Sequence, residues 1–487
     1  MASLAEIDCD AVPGLFVDGR WQGAKGASSI DVLEPHSGEI LTRIPAADAG
    51  DVDRAVQCAR LAFETGPWAP MSCVERSDIL HRLADVVERN ALRIAAIESR
   101  DVGMPAKVAD ITIAIGIGMI RHCAALARTM ANRTFDGMGD GFHAYVRREA
   151  VGVVGIITPW NGPFVLLCAK LAPALAAGCT CVIKPAELAP MSSAFLMSLL
   201  AEAGVPRGVV NMVVGTGPEA GEALVTHADV RKVSFTGSTR VGQHLIRLAA
   251  DNLTRLTLEL GGKSPLIVMD DAHIDAAVPT AAWGVFGNSG QACYACSRVY
   301  VQEGIYPAFM ERLKDFAAAM KIGAPEDRET DLGPLISREH REKVAGWVDL
   351  ERSNGGRIVA GGRFGEGRGF HYQPTVIGDC PPESAAMKEE IFGPVVCVAP
   401  FVSVDDAVAA ANDTQYGLAA GIFTNDLTKA HVVAQRIRAG TVWVNCYAHV
   451  DPTQPFGGYK QSGWGREFGP DALEPYLEVK SVQIALG

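Results

Sequence analysis

The stretch AVGVVGIITPWNGPFVLLCA, residues 150–169, runs for twenty positions without a charge. That length meets the requirement for a membrane-spanning helix. Pro159, Asn161 and Pro163 sit in its middle with glycines around them, and a proline inside a helix removes a hydrogen bond and clashes with the preceding turn. The pattern instead predicts a buried strand over VGVVGIIT (151–158), a loop, and a buried helix over LCAKLAPALAAG (167–178) that a glycine ends. A membrane span is not expected here.

Outward from this stretch the same alternation repeats. CTCVIK (179–184) reads as a strand and SSAFLMSLLAEAG (192–204) as a helix, followed by VVNMVVG, a helix through 218–227, KVSFTG and a helix over 239–252. Continuous apolar strands linked by helices indicate a parallel sheet covered on both faces. LTLELGG and SPLIVMD lead into a second series: RVYVQ, a helix over 305–320, PTVIGD, PVVCVAPF, AAGIFT and TVWVNC. The expected fold class is therefore α/β, with two doubly wound parallel-sheet domains. Upstream, 53–65 and 75–100 are helical by pattern, the latter from Ile79, Leu83, Val86 and Val87. HAYVRREAVG (143–152) and the tail YLEVKSVQIAL (476–486) alternate instead. Such strands either pair with another subunit's edge or form a local hairpin.

Composition narrows the function classes. A chain of 487 residues suits two or three domains. Its net charge, 44 − 56 = −12, argues against nucleic acid or an anionic membrane as partner. The start, MASLAEIDCDAVPGLFVDGRW, is acidic and lacks the basic-then-apolar order of a secretory signal. The twelve cysteines, Cys9 to Cys446, have no regular spacing and read as reduced thiols of a cytoplasmic protein. No Cys/His group has zinc spacing, so no metal is expected.

Individual motifs leave alternatives open. FGNSGQACYACSR (286–298) holds Cys293 and Cys296, a CxxC that suits a redox couple, half a zinc site, a nucleophile with a bystander, or two buried thiols. VVGTGPEAG (213–221) places Gly215, Gly217 and Gly221 after a strand, one residue too long for the dinucleotide fingerprint, and no acid ends the next strand. FTGSTRVG (235–242) puts Gly237, Ser238 and Thr239 where a strand becomes a helix, either to meet an anion or as an N-cap. Asn161 ends a strand where ligands of open sheets sit, and reads equally as a turn residue. In KPAE, Lys184 and Glu187 form a surface ion pair or grip ribose hydroxyls. Glu259, in LELGGKSP, is a strand-end carboxylate whose desolvation raises its pKa toward that of a general base.

In this order the fragments resemble one family. TPWN, KPAE, FTGSTxxG, LELGGKSP, GQxC, EEIFGP (389–394), YGLAAG (416–421), GTVWVN (440–445) and PFGGYKQSGxGRE (455–467) are similar to the aldehyde dehydrogenase superfamily over nearly the whole chain. The resemblance implies a Rossmann-like NAD-binding domain (1–125 and 149–260), a catalytic domain (261–462) and a small β oligomerisation element (126–148 and 470–487). It implies Cys293 as nucleophile, Glu259 as base and Asn161 as oxyanion donor, forming a thiohemiacetal and then a thioester that activated water hydrolyses. Lys184 and Glu187 are implied at the adenosine ribose, and Gly237 and Ser238 at the pyrophosphate with Thr239 and Gly242 behind them. Glu390 and Phe392 are implied at the nicotinamide ribose, and Ile157, Thr158, Pro159, Trp160 and Leu260 along the wall. Glu187 favours NAD over NADP, because a carboxylate repels a 2′-phosphate.

The departures lie in the implied substrate tunnel. Gly162, Ala169 and Val450 stand where family members often carry aromatics, Tyr294 follows the nucleophile, and Phe456 is kept, with Leu166 on the same wall. The expected substrate is a bulky apolar or aromatic aldehyde. Cys296 replaces a common glycine, which leaves a reversible Cys293–Cys296 disulfide as an alternative to a buried thiol. His340 replaces a glutamine. The resemblance implies a homodimer or homotetramer. Coenzyme A acylation is the rival within the family, and its members usually lack the base at position 259. A CxxC thiol-redox protein is the rival outside it.

Overall fold

The computed structural model describes residues 14–26, 28–137 and 139–486. Cys9 and most of the N-terminal stretch read for a leader lie outside the described residues. The opening segment folds as a buried strand, Val153–Ile157, a short loop, and the helix Pro163–Ala177, closed by Gly178 at φ +97°. The helix begins four residues earlier than its apolar run predicts. Pro163 occupies the first turn, where its missing N–H costs nothing and its fixed φ suits the helix. One of the prolines that argues against a membrane span thus starts the real helix.

Val153–Ile157 is central in an eight-stranded sheet. On one side lie Thr180–Lys184 and Val210–Met212, then Leu15–Val17 and Arg20–Gln22; on the other lie Val230–Thr236, Arg255–Glu259 and Gly463–Trp464. The five strands between 153 and 259 are mutually parallel. The chain winds outward from the central strand in one direction and returns to wind in the other, so the order reverses between Val153–Ile157 and Val230–Thr236. The crevice at the carboxyl ends of such a pair is where an open α/β sheet binds ligands.

A second sheet of seven strands runs in the order Arg357–Ala360, Thr375–Gly378, Val395–Phe401, Arg298–Gln302, Pro265–Val268, Ala419–Phe423, Thr441–Val444. Only the edge strand Arg357–Ala360 is antiparallel. The two alternating segments pair with each other: Leu477–Ala485 runs antiparallel to Phe142–Ala150, with Arg133–Phe135 beyond it. Leu477–Ala485 forms one edge of this sheet and exposes Val479 and Ile484.

Two helical readings change. The span 75–100 is two helices, Cys73–Arg89 and Ala91–Val102, joined at Asn90. The 24-residue helix Ala106–Thr129 has no counterpart in the sequence reading. By length and composition it could cross a membrane, yet it packs against Cys73–Arg89 and Pro163–Ala177 and buries Ile113, Ile117, Met119 and Ile120.

A buried ion pair ties this helical layer to the C-terminal loop. Lys170, on Pro163–Ala177, bonds Glu467, whose own backbone is doubly hydrogen-bonded to Phe456. Both side chains are shielded from solvent, so removing one leaves an uncompensated charge. Lys170→Met is expected to destabilise the fold by about 3–5 kcal/mol, read as a lowered chemical-denaturation midpoint. The double variant Lys170→Met/Glu467→Leu should recover most of that loss; a single variant as stable as the parent contradicts the assignment.

Candidate active site

At the winding reversal lies a cleft of about 730 Å³. The ends of the two neighbouring strands form its floor, through Ile157, Thr158 and Pro159 on one side and Thr236, Gly237 and Ser238 on the other. Ser238 begins the helix Thr239–Ala249, and its hydroxyl accepts the Val241 N–H at 3.3 Å. The free N–H groups and dipole of that first turn suit a phosphate. Lys184 Nζ stands 3.1 Å from Glu187 Oε2 at the far end. Gly217, Pro218 and Gly221 line the opposite wall, so the imperfect glycine motif does border the cleft. Arg240, His244 and Arg247 also border it; the sequence reading missed them, although they share one face of the helix that Ser238 opens. A helix N-terminus, a carboxylate and an ammonium along one cleft are the groups a dinucleotide's phosphates and ribose need.

Thr239 and Gly242 do not line this cleft. The Thr239 hydroxyl donates to the Gln461 carbonyl at 3.2 Å, and Gly242 packs on Leu260, where a β-carbon would stand 2.7 Å from Cδ2. Both serve the packing of the helix.

The cleft continues past Pro159 and Trp160 into a smaller cavity of about 270 Å³. Asn161 enters it from the first sheet, and Cys293, Glu390 and Phe392 enter from the second. Two glycines make this meeting possible. A β-carbon at Gly261 would collide with the Glu390 carboxylate, and one at Gly262 with the Cys293 carbonyl oxygen. The Gly262 N–H donates to Glu390 Oε1 at 2.8 Å. Burial pushes the Glu390 carboxyl up to about 7, against that N–H and the Lys263 charge. Phe392 sits at φ +59°, with its ring 5.3 Å from Trp160. His340 Nε2 lies 2.7 Å from the Phe392 carbonyl oxygen, which can only accept, so this nitrogen carries the proton. His340 and Lys343 line the same cavity from one helix face.

Asn161 Nδ2 donates to the Gln291 carbonyl at 2.9 Å. That contact fixes which end of the amide is nitrogen and leaves its second N–H for the cavity. Burial pushes the Cys293 thiol up to about 12, and the Glu390 and Glu259 charges act in the same direction. Glu259 is itself buried, and neither of its carboxylate oxygens has a hydrogen-bond partner among the described residues. Burial, then the charge of Glu467, raises its pKa well above the ordinary range, against Lys170 and Arg466. Its Oε1 lies against Gly457 and it does not line the cavity, although its neighbours Leu260 and Gly261 do.

Cys296 is no partner to Cys293. It is fully buried, its Sγ turned to the Ala281 carbonyl at 3.5 Å and packed over Gly284. The CxxC is thus a cavity thiol followed by a core thiol. Among the described residues, no group of three or more His, Cys, Asp or Glu side chains could hold a metal.

Of the implied tunnel residues, Ala169 lies in the first core, and Val450 and Phe456 pack against it. Gly162 caps the helix that carries Leu166. Tyr294 stands on the other side, its ring 6.2 Å from Trp443 and its carbonyl bonded by Tyr447 Oη at 2.6 Å. The sequence reading missed Trp443 and Tyr447, although Trp443 falls inside the quoted TVWVNC run and Tyr447 directly follows it.

Comparison with known proteins agrees with this geometry. The model of the aldehyde dehydrogenase family matches residues 21–482. The mitochondrial aldehyde dehydrogenase of Equus caballus is 44% identical, over 96% of this chain and 94% of its own length. A Bacillus cereus aldehyde dehydrogenase, solved as its NAD+ complex, superposes with a TM-score of 0.96 at 41% identity, over 97% of this chain and 96% of that one. Staphylococcus aureus betaine aldehyde dehydrogenase, solved with NAD+, superposes at 0.97 with 35% identity, over 100% and 97%. The chain belongs to the aldehyde dehydrogenase family.

Proposed function

We propose that this chain oxidises an aldehyde to its carboxylic acid with reduction of NAD, using Cys293, Asn161 and Glu259 at the junction of its two sheets. One observation carries the reading: Cys293 and Asn161, from different sheets, meet in a cavity that opens directly into a dinucleotide-shaped cleft. Bound NAD supplies the hydride acceptor. Glu259 turns from Gly457 and takes the Cys293 proton, and the sulfur bonds to the aldehyde carbon. The Asn161 amide and the Cys293 N–H hold the resulting oxyanion. Loss of hydride from that carbon leaves a thioester on Cys293. Glu259 releases that first proton to solvent and then takes one from water as it attacks; the C–S bond breaks, the proton returns to the sulfur, and the acid leaves. Retention of Glu259 favours water over coenzyme A as acyl acceptor.

The remaining assignments follow from position. Glu187, paired with Lys184, favours NAD over NADP. The two sheets correspond to a cofactor domain (1–125 and 149–260) and a catalytic domain (261–462), with 126–148 and 470–487 as the oligomerisation element. The edge strand Leu477–Ala485 suits pairing with a second copy, as dimer or tetramer, in the cytoplasm.

Replacing Cys293 by Ala should abolish NADH formation from NAD and an aldehyde panel without coenzyme A, while NAD still binds. Glu259→Gln should lower kcat by on the order of 10²–10³, with an acyl adduct on Cys293 visible by intact mass. An inactive variant free of adduct places the base in thiol activation alone.

The Glu390 carboxyl must be ionised to accept two ribose hydroxyls. Its raised pKa means that this form is full above about 7 and lost as pH falls through that value. The KM for NAD should therefore rise about tenfold from pH 8 to pH 6, and Glu390→Gln should flatten the profile. A KM independent of pH in the parent enzyme rejects this role.

Small residues at Gly162, Ala169 and Val450 favour bulky apolar or aromatic aldehydes. Steady-state kinetics should give such substrates a higher kcat/KM than acetaldehyde; the reverse order rejects the assignment.

A further inference from the structure

Asn288, Ser289 and Gly290 have φ of +49°, +56° and +74°, three successive left-handed residues directly before Gln291-Ala292-Cys293. Two of them carry a β-carbon, for which this region is sterically unfavourable. Such strain persists only where surrounding contacts impose it. A dense set does so here. Gly290 leaves no room for a β-carbon beside the Gly393 carbonyl, and Ser289 Oγ donates to Gly333 O at 2.8 Å. Gln291 N and Nε2 both donate to Asn288 O, at 3.0 and 3.3 Å, and Gln291 Oε1 accepts the Ile336 N–H at 2.9 Å.

The Asn288 side chain reaches across the sheets. Its Nδ2 donates to the main-chain oxygen of Asn161 at 2.8 Å and to Gln291 O at 3.4 Å. Gln291 O is the same atom that receives the Asn161 side-chain amide. One buried amide therefore grips the backbone of Asn161 and the carbonyl on which the Asn161 side chain rests. We propose that Asn288 is a positioning residue that sets the Asn161 amide relative to the Cys293 sulfur, by holding together two loops that come from separate sheets. The left-handed turn is what points its side chain back at Asn161. This inference rests on Asn161 being the oxyanion donor.

The test is a double-mutant cycle with Asn161→Ala, Asn288→Gly and Asn288→Asp. Glycine adopts the left-handed turn without strain and removes the amide, while aspartate keeps the shape and loses the donor. Each Asn288 variant should lower kcat about 10- to 100-fold, with the KM for NAD and the alkylation rate of Cys293 by iodoacetamide within twofold of the parent. In the Asn161→Ala background, the same changes should cost almost nothing further. Additive losses overturn the proposal, as do unchanged kcat values, an equal fall in alkylation rate, or failure of both variants to fold. If Asn161→Ala alone keeps full kcat, the oxyanion assignment fails first, an outcome separable from the others.

Discussion

At Gly261 and Gly262 the chain leaves the parallel strand Arg255–Glu259 and passes tightly beneath the loop that carries Cys293. Neither position has space for a β-carbon, because the Glu390 carboxylate fills one and the Cys293 carbonyl the other. The residues proposed for catalysis are arranged around this contact. Glu259 lies at the strand's carboxyl end, Glu390 is fastened to the Gly262 N–H, and Cys293 rests on the chain between them. A methyl group at either position would push the two sheets apart and separate Asn161 from Cys293. The glycines of LELGG are thus a clearance requirement, since neither adopts a left-handed conformation.

The same crowding sets the electrostatics. Three groups that prefer water, one thiol and two carboxyls, are buried together, and burial is the largest influence on each. The two acids also raise the thiol further. Burial and both acids therefore favour the protonated thiol.

Sequence reading went furthest where one physical signal dominates. Apolar β-branched runs separated by helices predicted both parallel sheets, because strands covered on two faces need no polar alternation. Cys293, Glu259 and Asn161 were reached through a family resemblance built on short motifs, and each motif read alone left a bland alternative standing. The helix Ala106–Thr129 went unread because it is apolar on more than one side and gives no clean period. Thr239 and Gly242 looked like ligand contacts because sequence shows that a helix begins there, without showing which way each side chain turns. Lys170, Glu467 and Asn288 were invisible for a stronger reason. Their partners are 297 and 127 residues away in the chain, and nothing local marks them as more than an apolar-helix lysine, a loop acid and a turn asparagine.

Glu259 poses the remaining physical question, since it is a buried carboxylate with no donor on either oxygen among the described residues, an arrangement rarely tolerated. Its surroundings supply charge without contact. Lys170 and Arg466 favour ionisation, Glu467 opposes it, and Lys170 is already bonded to Glu467. The balance leaves the Glu259 pKa well above the ordinary carboxylate range, with burial the largest cause. A carboxylate fixed by two good donors would be more stable and a worse base, because every proton transfer would break those bonds. Gly457 completes the arrangement: at φ +158° and without a side chain, it lets Oε1 come where a β-carbon would stand 2.8 Å away. With neither oxygen tied to a donor among the described residues and with opposed charges around it, this side chain can change both direction and protonation, as the proposed role in two successive steps requires.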